Sequence, residues 1–243
     1  MIGGIMLKAI DLTKRYEDGK LALDHVSLEV GEGMVFCLLG ANGAGKTTTI
    51  NLFLDFIQPS EGEALINGIN VNKKPLDAKE HVAFVSENVM LYGNFSARQN
   101  LDYFARLGGK RSLTKKDYYD YMRRAGLKDE DFEAKVRTFS KGMRQKLGIT
   151  IAVIRDTENI LLDEPTSGLD PRAAAEFVGI INNLRAEGKS ILMSTHDIFR
   201  AKELADYVGI MKAGRLVMVR SREEFLDADL ETVYLDYMQS SAS

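Results

Sequence analysis

Apolar positions in the first forty residues fall into runs of strand length. Leu7 to Thr13 and Leu21 to Val30 read as short strands. Met34 to Leu39 is apolar without interruption, as in a strand covered on both faces. Residues 61 to 71, EGEALINGINV, alternate around Gly-Asn turn signals, and His81 to Ser86 is a further apolar run. From Asn88 to about Asp156 the period changes. Tyr118, Met122 and Ala125 stand at i, i+4 and i+7, the spacing of one helix face. Strands and helices then alternate: Ile160 to Leu162, a helix over 171 to 186, Ser190 to Ser194, a helix over 198 to 204, Tyr207 to Met211, Arg215 to Val219, and closing helices over 222 to 238 before a frayed SSAS tail. Such alternation implies a mainly parallel sheet with crossover helices.

The pattern predicts an α/β chain whose core is discontinuous, 1–87 and 157–243, with an all-helical insertion at 88–156. One helix start is legible residue by residue. Asp170 is a good N-cap, Pro171 suits the first helical position, and Ala174, Phe177, Val178, Ile181 and Leu184 form one stripe that leads to an exit at Gly188.

Composition narrows the function classes. A net charge of −3 over 243 residues argues against a generally basic nucleic-acid surface. The single cysteine, Cys37, lies in an apolar strand, which predicts a buried thiol, no disulfide framework and a reducing compartment. No apolar stretch approaches the roughly 20 residues that span a bilayer, and the opening MIGGIM lacks the charged region of a signal peptide. A cytoplasmic protein is expected, with any membrane role exercised through a partner. Lys110, Arg111, Lys115, Lys116, Arg123 and Arg124 read as a solvated helical face, with anionic lipid or nucleic acid as the other reading.

The candidate chemistry begins at GANGAGKTTT, residues 40 to 49, between the apolar run and a helix over Lys46 to Leu54. Gly40, Gly43 and Gly45 allow backbone N–H groups to converge on an anion at a helix N-terminus. Lys46 can reach β- and γ-phosphates, and the Thr47 hydroxyl can coordinate Mg2+. The strand Ile160 to Leu162 ends in Asp163 and Glu164. At the carboxyl end of a parallel strand, one carboxylate can support a magnesium shell while the other orients or deprotonates an attacking water. ILMSTHD, 191 to 197, places His196 at another strand end, where an imidazole can hydrogen-bond a γ-phosphate.

Together these residues resemble the nucleotide-binding subunits of ABC transporters, from about Leu7 to about Met238. Gly40 to Thr48, Asn42 and Thr48 included, match the Walker A motif. Ile160 to Asp163 with Glu164 match Walker B and its catalytic glutamate. Ser167 to Asp170 match the D-loop, and His196 the switch histidine. Tyr16 falls where the family stacks an aromatic ring on adenine. Phe139-Ser140-Lys141-Gly142-Met143 looks like the signature motif, with Lys141 and Met143 in place of its first glycine and its glutamine. Glu87 stands where the family usually has the Q-loop glutamine, with an oxygen able to reach magnesium.

The resemblance implies a P-loop NTPase core with a mainly parallel sheet, an N-terminal antiparallel β-subdomain and an inserted α-helical subdomain. It also implies ATP and Mg2+ as cofactors. Catalysis falls to Glu164, His196 and Lys46, with Thr47, Glu87 and Asp163 toward the metal. Ser140 and Gly142 would face the γ-phosphate of ATP held by the opposite subunit in a head-to-tail dimer, itself or a similar subunit, with Asp170 in the D-loop. The Ser-Lys-Gly-Met variant resembles the branch serving ABC-2-type export permeases, so a peripheral place on the cytoplasmic face, through such a permease, is implied. Tyr92 and Phe95 are then candidates to line the permease groove, the alternative being the subdomain's own core. A soluble ABC-type ATPase of macromolecular assembly and a nucleotide sensor without turnover stay open as other functions.

Overall fold

Short apolar runs buried on both faces build the central sheet. The computed structural model describes residues 4–227 and Tyr234. The chain runs through β1 (Ile5–Arg15), β2 (Leu21–Gly31), β3 (Val35–Leu39), α1 (Lys46–Phe53), β4 (Glu61–Ile66), β5 (Ile69–Asn70), α2 (Pro75–Glu80) and β6 (Val82–Val85). The helices α3 (Ala97–Leu107), α4 (Lys115–Arg124) and α5 (Lys141–Arg155) follow, with two 3-10 turns before α5. Then come β7 (Asn159–Asp163), α6 (Pro171–Ala186), β8 (Ser190–Thr195), α7 (Ile198–Leu204), β9 (Tyr207–Lys212), β10 (Arg215–Ser221) and α8 (Arg222–Asp227).

Two sheets result. An antiparallel sheet has the order β2-β1-β4-β5, and a six-stranded sheet the order β10-β9-β3-β8-β7-β6. In the second sheet β9, β3, β8, β7 and β6 are parallel neighbours, and β10 closes the edge antiparallel to β9. In β3, Phe36 and Leu38 face the antiparallel sheet, whereas Val35, Cys37 and Leu39 face the layer of α5, α6 and α7. Leu161 of β7 and Leu192 of β8 repeat the first face; Ile160, Leu162, Ile191 and Met193 repeat the second. Helix α1 lies between the sheets, touching β2 and β4 on one side and β7 and β8 on the other. The Cys37 thiol is fully buried, and desolvation raises its pKa well above the ordinary thiol range.

Three elements differ from the expected pattern. Residues 61–71 are not one strand, because Asn67 (φ +50°) and Gly68 (φ +76°) turn the chain between β4 and β5. Helix α2 carried no legible period: six residues long, it has Ala78 as its only buried residue. Strand β1 extends beyond Leu7 to Thr13 at both ends. Of the closing helices, Arg222–Asp227 and Tyr234 are described as helical, and the rest of 222–238, with the SSAS tail, lies outside the described residues.

The helical segment has its own core of Leu101, Tyr118, Met122, Phe132, Phe139, Leu147 and Ile154. Capping boxes at Ser96/Gln99 and Thr114/Asp117 start α3 and α4. Helix α5 serves both sides, since Leu147 and Ile154 belong to this core while Ile149 and Ala152 pack on the six-stranded sheet.

Glu133 ties this segment together, accepting from Arg98 Nε at 2.7 Å, the Tyr119 hydroxyl at 2.8 Å and the Ser96 hydroxyl at 3.2 Å. Burial raises its pKa, but Arg98 and Tyr119 outweigh burial and hold it down at about 2. The carboxylate thus contributes stability above its ordinary value of 4.5, and loses it as pH falls from there through 2. Because the side chain is half-exposed, Glu133→Gln is expected to lower Tm by only about 2 °C at pH 7. Calorimetry should show the gap closing below pH 4.5; a gap independent of pH would exclude the carboxylate as its source.

Candidate functional site: a phosphate-binding cleft at the strand ends

Neighbouring parallel strands end side by side, and each delivers a polar group to the same edge. Strand β3 runs into Gly40 to Lys46, β8 into His196, β7 into Asp163 and Glu164, and β6 into the loop that carries Glu87. The register sets Leu39 against Thr195 and Asp163 against Ser194, and Gly40 N–H donates to the Thr195 carbonyl at 3.2 Å. The carboxyl edge of such a sheet is where ligands bind.

The loop is tight by sequence. Gly45 sits at φ +108°, and a Cβ there would come within 2.7 Å of Leu23 Cδ2 and 2.8 Å of the Ala22 carbonyl. At Gly40 a Cβ would stand 2.5 Å from the Met211 carbonyl oxygen. Only glycine lets the loop close against these backbones. Lys46 is 5% exposed. Its ammonium donates to the carbonyls of Gly40 (2.7 Å) and Ala41 (3.2 Å) and contacts Glu164 Oε1 at 3.1 Å, without the alignment of a hydrogen bond.

The carboxylates are set from β7 and β8. Asp163 Oδ1 accepts from the Thr47 hydroxyl at 3.1 Å and the Ser194 hydroxyl at 2.6 Å. The Ser194 oxygen in turn accepts the Glu164 N–H at 2.9 Å. Glu164 is nearly buried, at φ +47°, and its Oε2 lies 2.8 Å from His196 Nδ1 while accepting the His196 N–H at 3.3 Å. Lys46, Thr47, Asp163, Glu164 and His196 thus form one connected constellation.

Tyr16, Lys20, Asn42, Gly43, Gly45, Lys46, Thr47, Thr48, Glu87 and Glu164 line a cleft of about 260 Å³. Tyr16 stands at its rim, partly exposed, with the Lys14 ammonium 5.3 Å from its ring centroid. Ser140, Gly142 and Asp170 are not among the residues lining this cleft. Ser140 caps α5 by accepting the Met143 N–H at 3.2 Å, and Asp170 caps α6 through the Ala173 N–H at 2.9 Å. Two contributors escaped the sequence reading. Lys20 lines the cleft without belonging to any motif, and Ser194 orients both acidic residues. A hydroxyl at the last position but one of an apolar strand was the signal for Ser194.

The arrangement fits a nucleoside triphosphate, with a glycine-cradled loop at a helix N-terminus, a sequestered lysine and a carboxylate in contact with it. Comparison with known proteins agrees. Residues 23–167 match the family model described as ABC transporter. The chain is 36% identical over 234 residues to the ABC transporter ATP-binding protein NatA of Bacillus subtilis, covering 94% of this chain and 92% of NatA. It is 32% identical over 225 residues to the Nod factor export ATP-binding protein I of Cupriavidus metallidurans, covering 93% and 74%. Among solved structures it is similar to the dimeric structure of MJ0796, a bacterial ABC transporter cassette, with TM-score 0.81, 25% identity and coverage of 89% and 99%. A glycine-cradled lysine beside paired carboxylates, matched to that family over most of the chain, leaves one assignment: this chain belongs to the ABC transporter family, among the ATP-binding subunits whose ATP hydrolysis drives transport.

Proposed function

We propose that this chain is the motor of an exporter, working as a head-to-tail dimer around two ATP molecules and acting on a separate membrane permease of the ABC-2 type. The observation that carries this reading is the contact of Lys46 and His196 with the same carboxylate, Glu164, beside the Thr47–Asp163 pair. In this reading Glu164 takes a proton from the attacking water, and His196 fixes its carboxylate and touches the γ-phosphate. Lys46 and the loop N–H groups of Asn42 to Thr48 hold the phosphates, with Tyr16 stacked on the adenine. Much of the catalysis is positioning and charge stabilisation.

The donor set beside the loop fits Mg2+, being a threonine hydroxyl in hydrogen-bond contact with an aspartate carboxylate. Thr47 and Asp163 would hold the ion, with Glu87 reaching it from β6. Mg2+, when bound, would neutralise charge on the β- and γ-phosphates. The dimeric form of the MJ0796 cassette supports the use of Ser140, Gly142 and Asp170 in trans, on ATP held by a second copy. The chain then works as one unit, with 88–156 as its helical subdomain and 1–87 with 157–243 as its core.

Among the described residues no helix is long and apolar enough to cross a membrane, so the permease is a separate part of this proposal. The export direction rests on the relative named for Nod factor export. The rings of Tyr92 and Phe95 lie tilted to one another with centroids 5.2 Å apart and Tyr103 edge-on to Tyr92, all partly exposed, and form the aromatic edge of the permease-facing surface. The test is affinity capture of tagged Glu164→Gln protein, with ATP and magnesium, from detergent-solubilised membranes of its own source cells. A multi-span membrane protein in comparable amount is the expected result. Recovery of only soluble partners, from membranes shown to hold other transporter complexes intact, would favour an assembly ATPase.

A further inference from the structure

Two carboxylates line the nucleotide cleft, and each has its own cation. Glu164 is paired with Lys46, which itself lines the cleft. Glu87 is served from outside it. Its Oε1 accepts the Ser167 hydroxyl at 2.9 Å and lies 3.8 Å from the Lys141 ammonium. Lys141 does not line the cleft but opens α5, next to the capping residue Ser140.

The stem of Lys141 reaches Glu87 across the turn between β7 and α6. A Cβ at Gly168 would stand 3.2 Å from Lys141 Nζ and 3.7 Å from its Cδ, so the side chain rests on that glycine. Gly142, one residue on, packs as closely, since a Cβ there would be 3.0 Å from the Ala173 Cβ at the start of α6. The first turn of α5 is therefore seated on residues 167–173, and the cation it projects ends at the rim of the cleft. A bare carboxylate beside a triphosphate opposes its binding, and a cation 3.8 Å away cancels much of that field.

We infer that Lys141 is a positioning residue that holds Glu87 as a neutralised pair, with the Ser167 hydroxyl as a second donor to the same carboxylate oxygen, and so makes the ATP affinity of the chain's own cleft depend on the seat of the first turn of α5. The inference rests on the reading of the cleft as an ATP site. It gives Lys141, outside the cleft, an effect on binding within it, and gives that effect only one route, through the charge of Glu87.

A double-mutant cycle isolates that route. A fluorescent ATP analogue is titrated in EDTA into the Glu164→Gln chain and into the same chain carrying Lys141→Met, Glu87→Gln or both, at protein concentrations too low for dimers. Lys141→Met is expected to weaken binding about fivefold where Glu87 is present, and by less than about twofold where it is Gln. Lys141→Arg should bind like the parent. The fivefold loss should shrink in about 0.5 M salt, because both side chains are more than a third exposed. An equal loss in both Glu87 backgrounds, or no loss in either, would overturn the pairing while leaving the ATP site intact. A parent chain that binds no ATP would remove the site itself, and the inference with it.

Discussion

Glu164→Gln is expected to bind ATP as well as the parent, to lose turnover by about 10²- to 10⁴-fold, and to accumulate as an ATP-bound dimer. The geometry explains why so small a change should matter. The two carboxylate oxygens have different duties, Oε1 against the Lys46 ammonium and Oε2 against the backbone N–H and ring of His196. An amide can present an oxygen to only one of them. Turned toward Lys46, it sets its NH2 against the His196 N–H; turned toward His196, it sets the NH2 against an ammonium. In neither pose does it take up a proton at neutral pH, so no base is left for the attacking water. The phosphate-holding groups are not altered, because Lys46 keeps the Gly40 and Ala41 carbonyls and Thr47 keeps Asp163. Phosphate release and light scattering measure the two outcomes separately. Hydrolysis at the parent rate would exclude Glu164 as the base.

What could be read in advance was whatever lies close along the chain. The five apolar residues of β3 lead straight into the loop, so strand, cradle and Lys46 share one stretch, and Asp163 and Glu164 end another. Asp170, Pro171 and the apolar stripe declared α6 because capping and helical period are local properties. What stayed hidden depends on register or on packing between distant segments. Ser194 reaches Asp163 only because β8 pairs with β7 in one particular alignment, 31 residues apart in the chain. Lys141 meets Glu87 only once α5 is seated on the turn after β7. Glu133 belongs to no sequence motif, and its partners Ser96, Arg98 and Tyr119 come from a cap and two helices. Helix α2 stayed hidden for a different reason: with Ala78 as its one buried residue it has no apolar stripe to show a period, whereas the turn at Asn67-Gly68 lies where the Gly-Asn signals stood and divides the expected strand.

Lys46→Ala should produce the largest loss of nucleotide binding, and it should also destabilise the empty protein. The ammonium is 5% exposed and faces two carbonyls and Glu164, so it is the cation around which this end of the cleft is organised. Its removal takes a positive charge from beside the triphosphate in a partly desolvated site, an effect of about 100-fold or more in affinity. It also leaves Glu164 Oε1 buried without a cation, which costs about 2 to 4 kcal/mol in the absence of any ligand. At this chain length a loss of that size lowers Tm by about 4 to 16 °C. The two effects separate in the double variant. Glu164→Gln added to Lys46→Ala removes the orphaned charge and should recover much of the lost Tm, while ATP affinity stays low because the phosphates still lack their cation. Calorimetry of the empty chains and titration of the fluorescent ATP analogue give the two readings. If Tm fell equally in both variants, the Lys46–Glu164 contact would contribute nothing to the fold, and the lysine would act on the nucleotide alone.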